Sequence, residues 1–158
     1  MGGGNVDLME LRRKREALVH RHMTVEESGD AAAVVATFSR PRYDLVAQGV
    51  ILEGAEAVSK RVQDMCESMP GARIELVSLR HTDDAVIVET RTRGRHEGPL
   101  FGLRPTGRPY DVRGIAIFVF EGEALVSEVV YYDRLTLIDQ IRGRPFSAEF
   151  LEGETQPA

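Results

Sequence analysis

Moving a proton at neutral pH requires a titratable side chain held where water is scarce, and few positions in this sequence offer one. Glu89 follows the apolar run Ala85-Val86-Ile87-Val88, so a strand through it would carry a carboxylate into an apolar region, where desolvation raises its pKa. That makes it a candidate base. An ion pair with Arg91 or Arg113 is the competing role. Tyr43, Tyr132, His96, Glu128 and Asp133 are the other polar candidates, and each has a structural alternative. The tyrosines suit core aromatics with a satisfied hydroxyl, His96 stands before a Gly98-Pro99 corner, and Asp133 precedes Arg134-Leu135-Thr136-Leu137 as a helix N-cap would. Glu89, Arg91, Arg93 and Arg95 would share one strand face, and that charged row reads by default as the solvent side.

Other chemistries find less support. His20 and His22 are two apart on a predicted helix and diverge, so no metal site is expected. The glycines of Gly98-Pro99-Leu100-Phe101-Gly102 lack the Lys-Ser/Thr pair and following helix of a phosphate loop. No Gly-x-Ser-x-Gly motif is present, and the single cysteine, Cys66, reads as a small buried hydrophobe. No cofactor is required.

The elements that must position these groups follow from periodicity. The 158-residue chain is 42% hydrophobic and 28% charged, which suits one globular domain. Its net charge of −5 argues against nucleic acid as a partner, and no apolar run is long enough for a signal core or a membrane span, so a cytoplasmic location is expected. Leu8, Leu11, Leu18, His22 and Val25 predict a helix over residues 6–28, with Arg12 to Arg15 mostly in solvent. Gly29 and Asp30 turn the chain into a second, alanine-rich helix, and residues 43–48 form a short strand before Gly49. Val58, Val62, Met65 and Met69 mark a third helix ended by Pro70-Gly71. Strands over 73–80 and 85–95 follow, then a long hairpin over 112–120 and 124–132 that turns at Glu121-Gly122-Glu123, then a short closing helix. The fold class expected is α+β, a cone-shaped curved antiparallel sheet with three helices packed on its concave side. Residues 1–143 are read as one domain and 144–158 as a C-terminal tail.

Gly94-Arg95-His96-Glu97-Gly98-Pro99, the Gly102-Leu103 and Pro105-Thr106-Gly107-Arg108 turn, Val112-Arg113-Gly114-Ile115 entering Ile117-Phe118, and Tyr132-Asp133 before the last helix are together distinctive. This stretch resembles the SnoaL-like polyketide cyclases of the nuclear-transport-factor-two-like superfamily, and its Tyr-Tyr-Asp-Arg-Leu ending is also similar to the limonene epoxide hydrolases. The resemblance implies a deep apolar pocket for a small hydrophobic molecule and a homodimer. It also implies a catalytic histidine at the position of Ala116 and an aspartate at that of Val130, so both family proton carriers are replaced. The family's pocket asparagine falls at Leu45.

Two functions are therefore carried forward. In the first, an enzyme catalyses cyclisation, isomerisation or hydrolysis by proton transfer, with Glu89 as base and Tyr43 and Tyr132 orienting an oxygen. Leu45, Ala116, Phe118, Val130, His96, Glu128 and Asp133 line or border its pocket. In the second, the chain is a non-catalytic ligand-binding or dimerisation module.

Overall fold

The computed structural model describes residues 3–144, and the tail expectation lies outside the described residues. Helices α1 (Gly3–Ser28) and α2 (Ala31–Thr37) lead to β1 (Arg42–Leu45), a 3-10 turn (Val46–Gln48), β2 (Val50–Glu53) and α3 (Ala55–Ser68). The chain continues through β3 (Arg73–His81), β4 (Ala85–Arg95), β5 (Pro109–Glu121), β6 (Ala124–Tyr132) and α4 (Arg134–Arg142). The strands form one curved six-stranded sheet in the order β2-β1-β6-β5-β4-β3.

The α+β class and the curved sheet stand, with two corrections. The sheet is mixed, because β1 pairs with β6 in parallel after the chain has passed through β2, α3, β3, β4 and β5. A fourth helix also packs on the sheet: Leu137 and Ile141 of α4 form a second apolar cluster with Tyr110, Val112 and Met69. The stretch expected as one strand over 43–48 ends at Leu45. Gly49, in the left-handed region at φ 66°, then turns it into the edge strand β2. Irregular pairing between Leu76 and Ser78 and between Val119 and Phe120 adds local bend to β3 and β5. Among the described residues no helix is long and apolar enough to cross a membrane.

Register sorts the inner face into layers. Tyr43 on β1 lies beside Glu128 on β6, Glu128 beside Phe118 on β5, and Phe118 beside Val86 on β4. The next layer toward the open end is Leu45, Val130, Ala116 and Val88. That second layer is entirely apolar.

Arg15 shows how α1 is held across the sheet. The sequence placed it mainly in solvent, yet it is 4% exposed, donating from Nε to the Gly122 carbonyl at 2.8 Å and from Nη1 to the Asp83 carbonyl at 2.9 Å. Its guanidinium also lies over the Phe120 ring, 5.2 Å from the centroid. Both carbonyls belong to hairpin turns, so one side chain ties the helix to two strand ends. Gly98 makes a comparable fastening, because a Cβ there would collide with the Glu67 carbonyl at the end of α3. We expect Arg15→Ala to cost about 1–3 kcal/mol in denaturant unfolding, the loss of charge-assisted hydrogen bonds to two exposed turns and of the contact over Phe120.

Candidate active site

The inner face and helices α1, α3 and α4 enclose a mainly apolar cavity of about 160 Å³. Met23, Val62, Met65, Phe118, Val112 and Leu137 supply much of its wall. At the closed end the wall becomes polar. His22 and Glu26 stand one helical turn apart on α1, Tyr43 comes from β1 and Glu128 from β6, and Glu26, Tyr43 and Glu128 face the cavity while His22 sits behind them.

The hydrogen bonds assign the protons. Thr37 Oγ1 donates to the Val34 carbonyl at 2.6 Å, and a carbonyl can only accept, so Thr37 must accept from His22 Nδ1 at 2.7 Å. That fixes the proton on Nδ1 and turns Nε2 toward the cluster. Nε2 is 3.2 Å from Tyr43 Oη and 2.9 Å from Glu128 Oε2. The ring axis is aligned with Tyr43, and Glu128 Oε2, although close, receives no aligned hydrogen bond. Tyr43 Oη donates in turn to Glu26 Oε1 at 3.1 Å. Glu26, Tyr43, His22 and Thr37 thus form a chain along which one proton can stand at Glu26 or at Nε2. Phe38 and Phe118 pack edge-on against the imidazole at 5.1 and 5.3 Å, keeping water from it.

The charges follow from burial. Desolvation pushes the Glu26 carboxyl above its ordinary range and the nearby Glu128 carboxylate adds to the rise, with His22 and Arg61 opposing. For His22, burial pulls the imidazole down, but Glu128 and Glu26 outweigh it and the pKa ends above the ordinary value. Burial also holds the Tyr43 phenol well above its usual pKa, so it stays protonated. Two carboxylates in one dry site therefore differ: Glu26 holds its proton more tightly than an ordinary glutamate, while Glu128 stands against His22.

His22, Glu26 and Glu128 also bring ligand atoms within 4.8 Å of one another, a set that could hold a divalent cation. An ion would sit about 2.0–2.2 Å from Nε2 along its lone pair. Tyr43 Oη already lies 3.2 Å away in that direction, so the arrangement suits a shared proton better than a metal.

The structure separates the sequence candidates. Leu45, Ala116, Phe118, Glu128, Val130, Tyr43 and Tyr132 all stand on the cavity wall. Tyr132 Oη accepts from Gln48 Nε2 at 2.9 Å. Glu89, the expected base, points to the opposite face of the sheet, where it pairs with Arg113 and accepts from Ser78 Oγ at 3.1 Å. Strand alternation puts Thr90 inward and Glu89 outward. His96 is buried in the corner after β4, with Nδ1 3.1 Å from Thr106 Oγ1 and its own carbonyl accepting from Thr106 and Gly107, and it does not line the cavity. Asp133 is the N-cap of α4, accepting from the Thr136 amide at 2.9 Å and its hydroxyl at 2.6 Å. Sequence reasoning missed Glu26 as a partner of His22, although the spacing of four on a predicted helix was the signal. It also missed Tyr110, whose buried hydroxyl has no hydrogen-bond partner among the described residues and whose pKa is pushed up to about 12 by burial.

Comparison with known proteins agrees with this architecture. The family model for SnoaL-like polyketide cyclases matches residues 16–141. The chain belongs to that family. Among solved structures, the SnoaL-like chain is similar to AclR, a candidate hydroxylase from Streptomyces galilaeus, at 16% identity and a TM-score of 0.75, covering 90% of this chain and 95% of that one. A candidate polyketide cyclase from Xanthomonas campestris pv. campestris gives 24% identity, a TM-score of 0.72 and coverage of 83% and 98%. A protein with a ketosteroid isomerase-like fold from Catenulispora acidiphila, in complex with trimethylamine, gives 19% identity, a TM-score of 0.70 and coverage of 81% and 93%. These likenesses establish the fold. No curated protein matches.

The raised pKa values predict a pH dependence of stability. A group that binds its proton more tightly when folded stabilises the fold at low pH and loses that contribution as pH rises through its folded pKa. For Glu26 the loss begins above its ordinary 4.5, and for His22 above 6.5. Thermal midpoints should therefore fall from pH 5 to pH 8, and Glu26→Gln should flatten the lower part of that slope and be the more stable form at pH 8.

Proposed function

We propose that this SnoaL-like protein is a cofactor-independent acid–base catalyst that enolises, isomerises or cyclises a small hydrophobic carbonyl compound. The observation that carries the reading is the convergence of Glu26, Tyr43 and Glu128 on the closed end of an apolar cavity, with their protonation split by burial and by His22. Glu128 is the base. Its carboxylate lines the cavity while Oε2, 2.9 Å from His22 Nε2, has no aligned donor, so the group can accept a carbon-bound proton beside a carbonyl. Glu26, whose protonated form its burial favours, and Tyr43 supply the donors toward the carbonyl oxygen as charge develops there. Return of the proton to another carbon is isomerisation, and attack of the enol carbon on a second carbonyl is aldol closure. Thr37 and His22 are positioning residues that keep Nε2 opposite Glu128.

The non-catalytic alternative draws on Ala116 and Val130, apolar at the two positions where the resemblance implies a histidine and an aspartate. The layer arrangement weakens it, since the polar groups stand one layer deeper on the same inner face. Enolisation of 2-tetralone, a bicyclic ketone of suitable size, separates the readings through hydrogen–deuterium exchange at its α-carbon in D2O, followed by NMR. The wild type should accelerate exchange, Glu128→Gln should lower the rate about 10²–10⁴-fold, and Thr37→Val should shift the pH profile while Thr37→Ser restores it. Saturable binding of 2-tetralone without exchange would favour the binding module.

A homodimer through the outer sheet face belongs to the same proposal. Ile115 and Tyr131 are 43% and 46% exposed there, beside ion pairs such as Arg91 with Asp111. Ile115→Glu is expected to convert a dimer to a monomer in light-scattering chromatography, and a wild-type monomer would contradict the proposal.

A further inference from the structure

Arg61 of α3 is a half-buried cation on the cavity wall, shared with an adjoining groove that contains Gln48, Ser68 and Phe101. Among the described residues it has no carboxylate within 4.0 Å and no hydrogen-bond partner. Apart from Glu67, an exposed carboxylate of the groove more than 4.0 Å away, the charges nearest to it are matched. Glu27 is held by Arg73 at 2.7 Å, Glu128 by His22 at 2.9 Å, and Arg113, the other cation of the wall, by Glu89. Asp64, one turn along α3, is engaged by Lys60 at 2.7 Å. Glu26 is the remaining wall carboxyl, and its oxygens lie more than 4.0 Å from the guanidinium. Arg61 is thus an unpaired cation on the wall of a mainly apolar cavity.

A partly desolvated guanidinium without a counter-ion is unfavourable until an anion reaches it, and its planar donors fit a carboxylate in two-pronged fashion. We infer that the natural ligand is an amphipathic anion, a hydrophobic ring system or chain bearing a carboxylate, with Arg61 binding the carboxylate at the cavity wall while the apolar body fills the space between α3 and the sheet. This deepens the proposed function and rests on its identification of the cavity as the substrate site. Arg61 then sets specificity and orientation: tethering the acidic end at α3 directs the neutral, reacting end toward Glu26, Tyr43 and Glu128. The field of Arg61 already acts on Glu26 and Tyr43, which places the three within electrostatic reach.

The test compares two probes of one shape and different charge, 2-naphthoate and 2-naphthamide, by titration calorimetry against the full chain at low ionic strength. The wild type should bind the carboxylate at least tenfold more tightly than the amide, with the preference shrinking as salt is added. Arg61→Met should bring the carboxylate to the level of the amide while amide affinity stays within twofold, which also reports that the variant is folded. Arg61→Lys should recover part of the preference. Equal binding of both probes by the wild type, or a preference that survives in Arg61→Met, would overturn the anion assignment and leave the cavity reading standing. Binding of neither probe would overturn both.

Discussion

The buried contact between His22 and Glu128 is the constraint on which the site depends. A carboxylate and an imidazole removed from water each carry a desolvation cost of several kcal/mol, and together they persist only where geometry and further hydrogen bonds offset it. Here the imidazole is bound on its far side by Thr37 and flanked by two aromatic rings, and β6 carries Glu128 to it in the one strand pairing that runs parallel. The long return of the chain that sets β1 beside β6 also sets Tyr43 beside Glu128. Topology and electrostatics therefore meet at the same residues.

That arrangement accounts for the apolar substitutions at Ala116 and Val130. In the register of the sheet these two residues pair with each other and with Leu45 and Val88, a closed hydrophobic layer. The ionisable groups occupy the adjacent, deeper layer, where Phe118 stands opposite Glu128. That deeper layer is a dry environment, in which burial raises the Glu26 carboxyl while His22 stands against Glu128. The cavity above them is correspondingly apolar and can grip the body of a hydrophobic ligand.

Much of this was legible in the sequence, and the failures have physical causes. The helices, the long hairpin and the inward row Leu45, Ala116, Phe118, Glu128 and Val130 followed from periodicity and from resemblance to the SnoaL-like family. Glu89 fits two roles in the sequence, a base in an apolar region or an ion-pair partner on a solvent-side row, and strand alternation decides for the second, pairing it with Arg113. Arg15 was misread because a run of basic residues looks solvated until the fold brings two hairpin carbonyls to one of them. Glu26 and His22 could have been paired by their spacing. The convergence of α1 with β1 and β6 could not, since it depends on a parallel pairing between strands some eighty residues apart that no local pattern announces.

Burial and charge together raise Glu26 and His22 in this deep cluster, and site-resolved titration reads each group by itself. With glutamate labelled at Cδ and histidine at its ring nitrogens, NMR across pH 3 to 9 would follow Glu26 and His22, assigned through Glu26→Gln and His22→Asn. The account predicts that Glu26 titrates above the ordinary 4.5, that His22 titrates above 6.5, and that Nδ1 stays protonated throughout. A Glu26 midpoint at or below 4.5, or a His22 neutral form with its proton on Nε2, would contradict it.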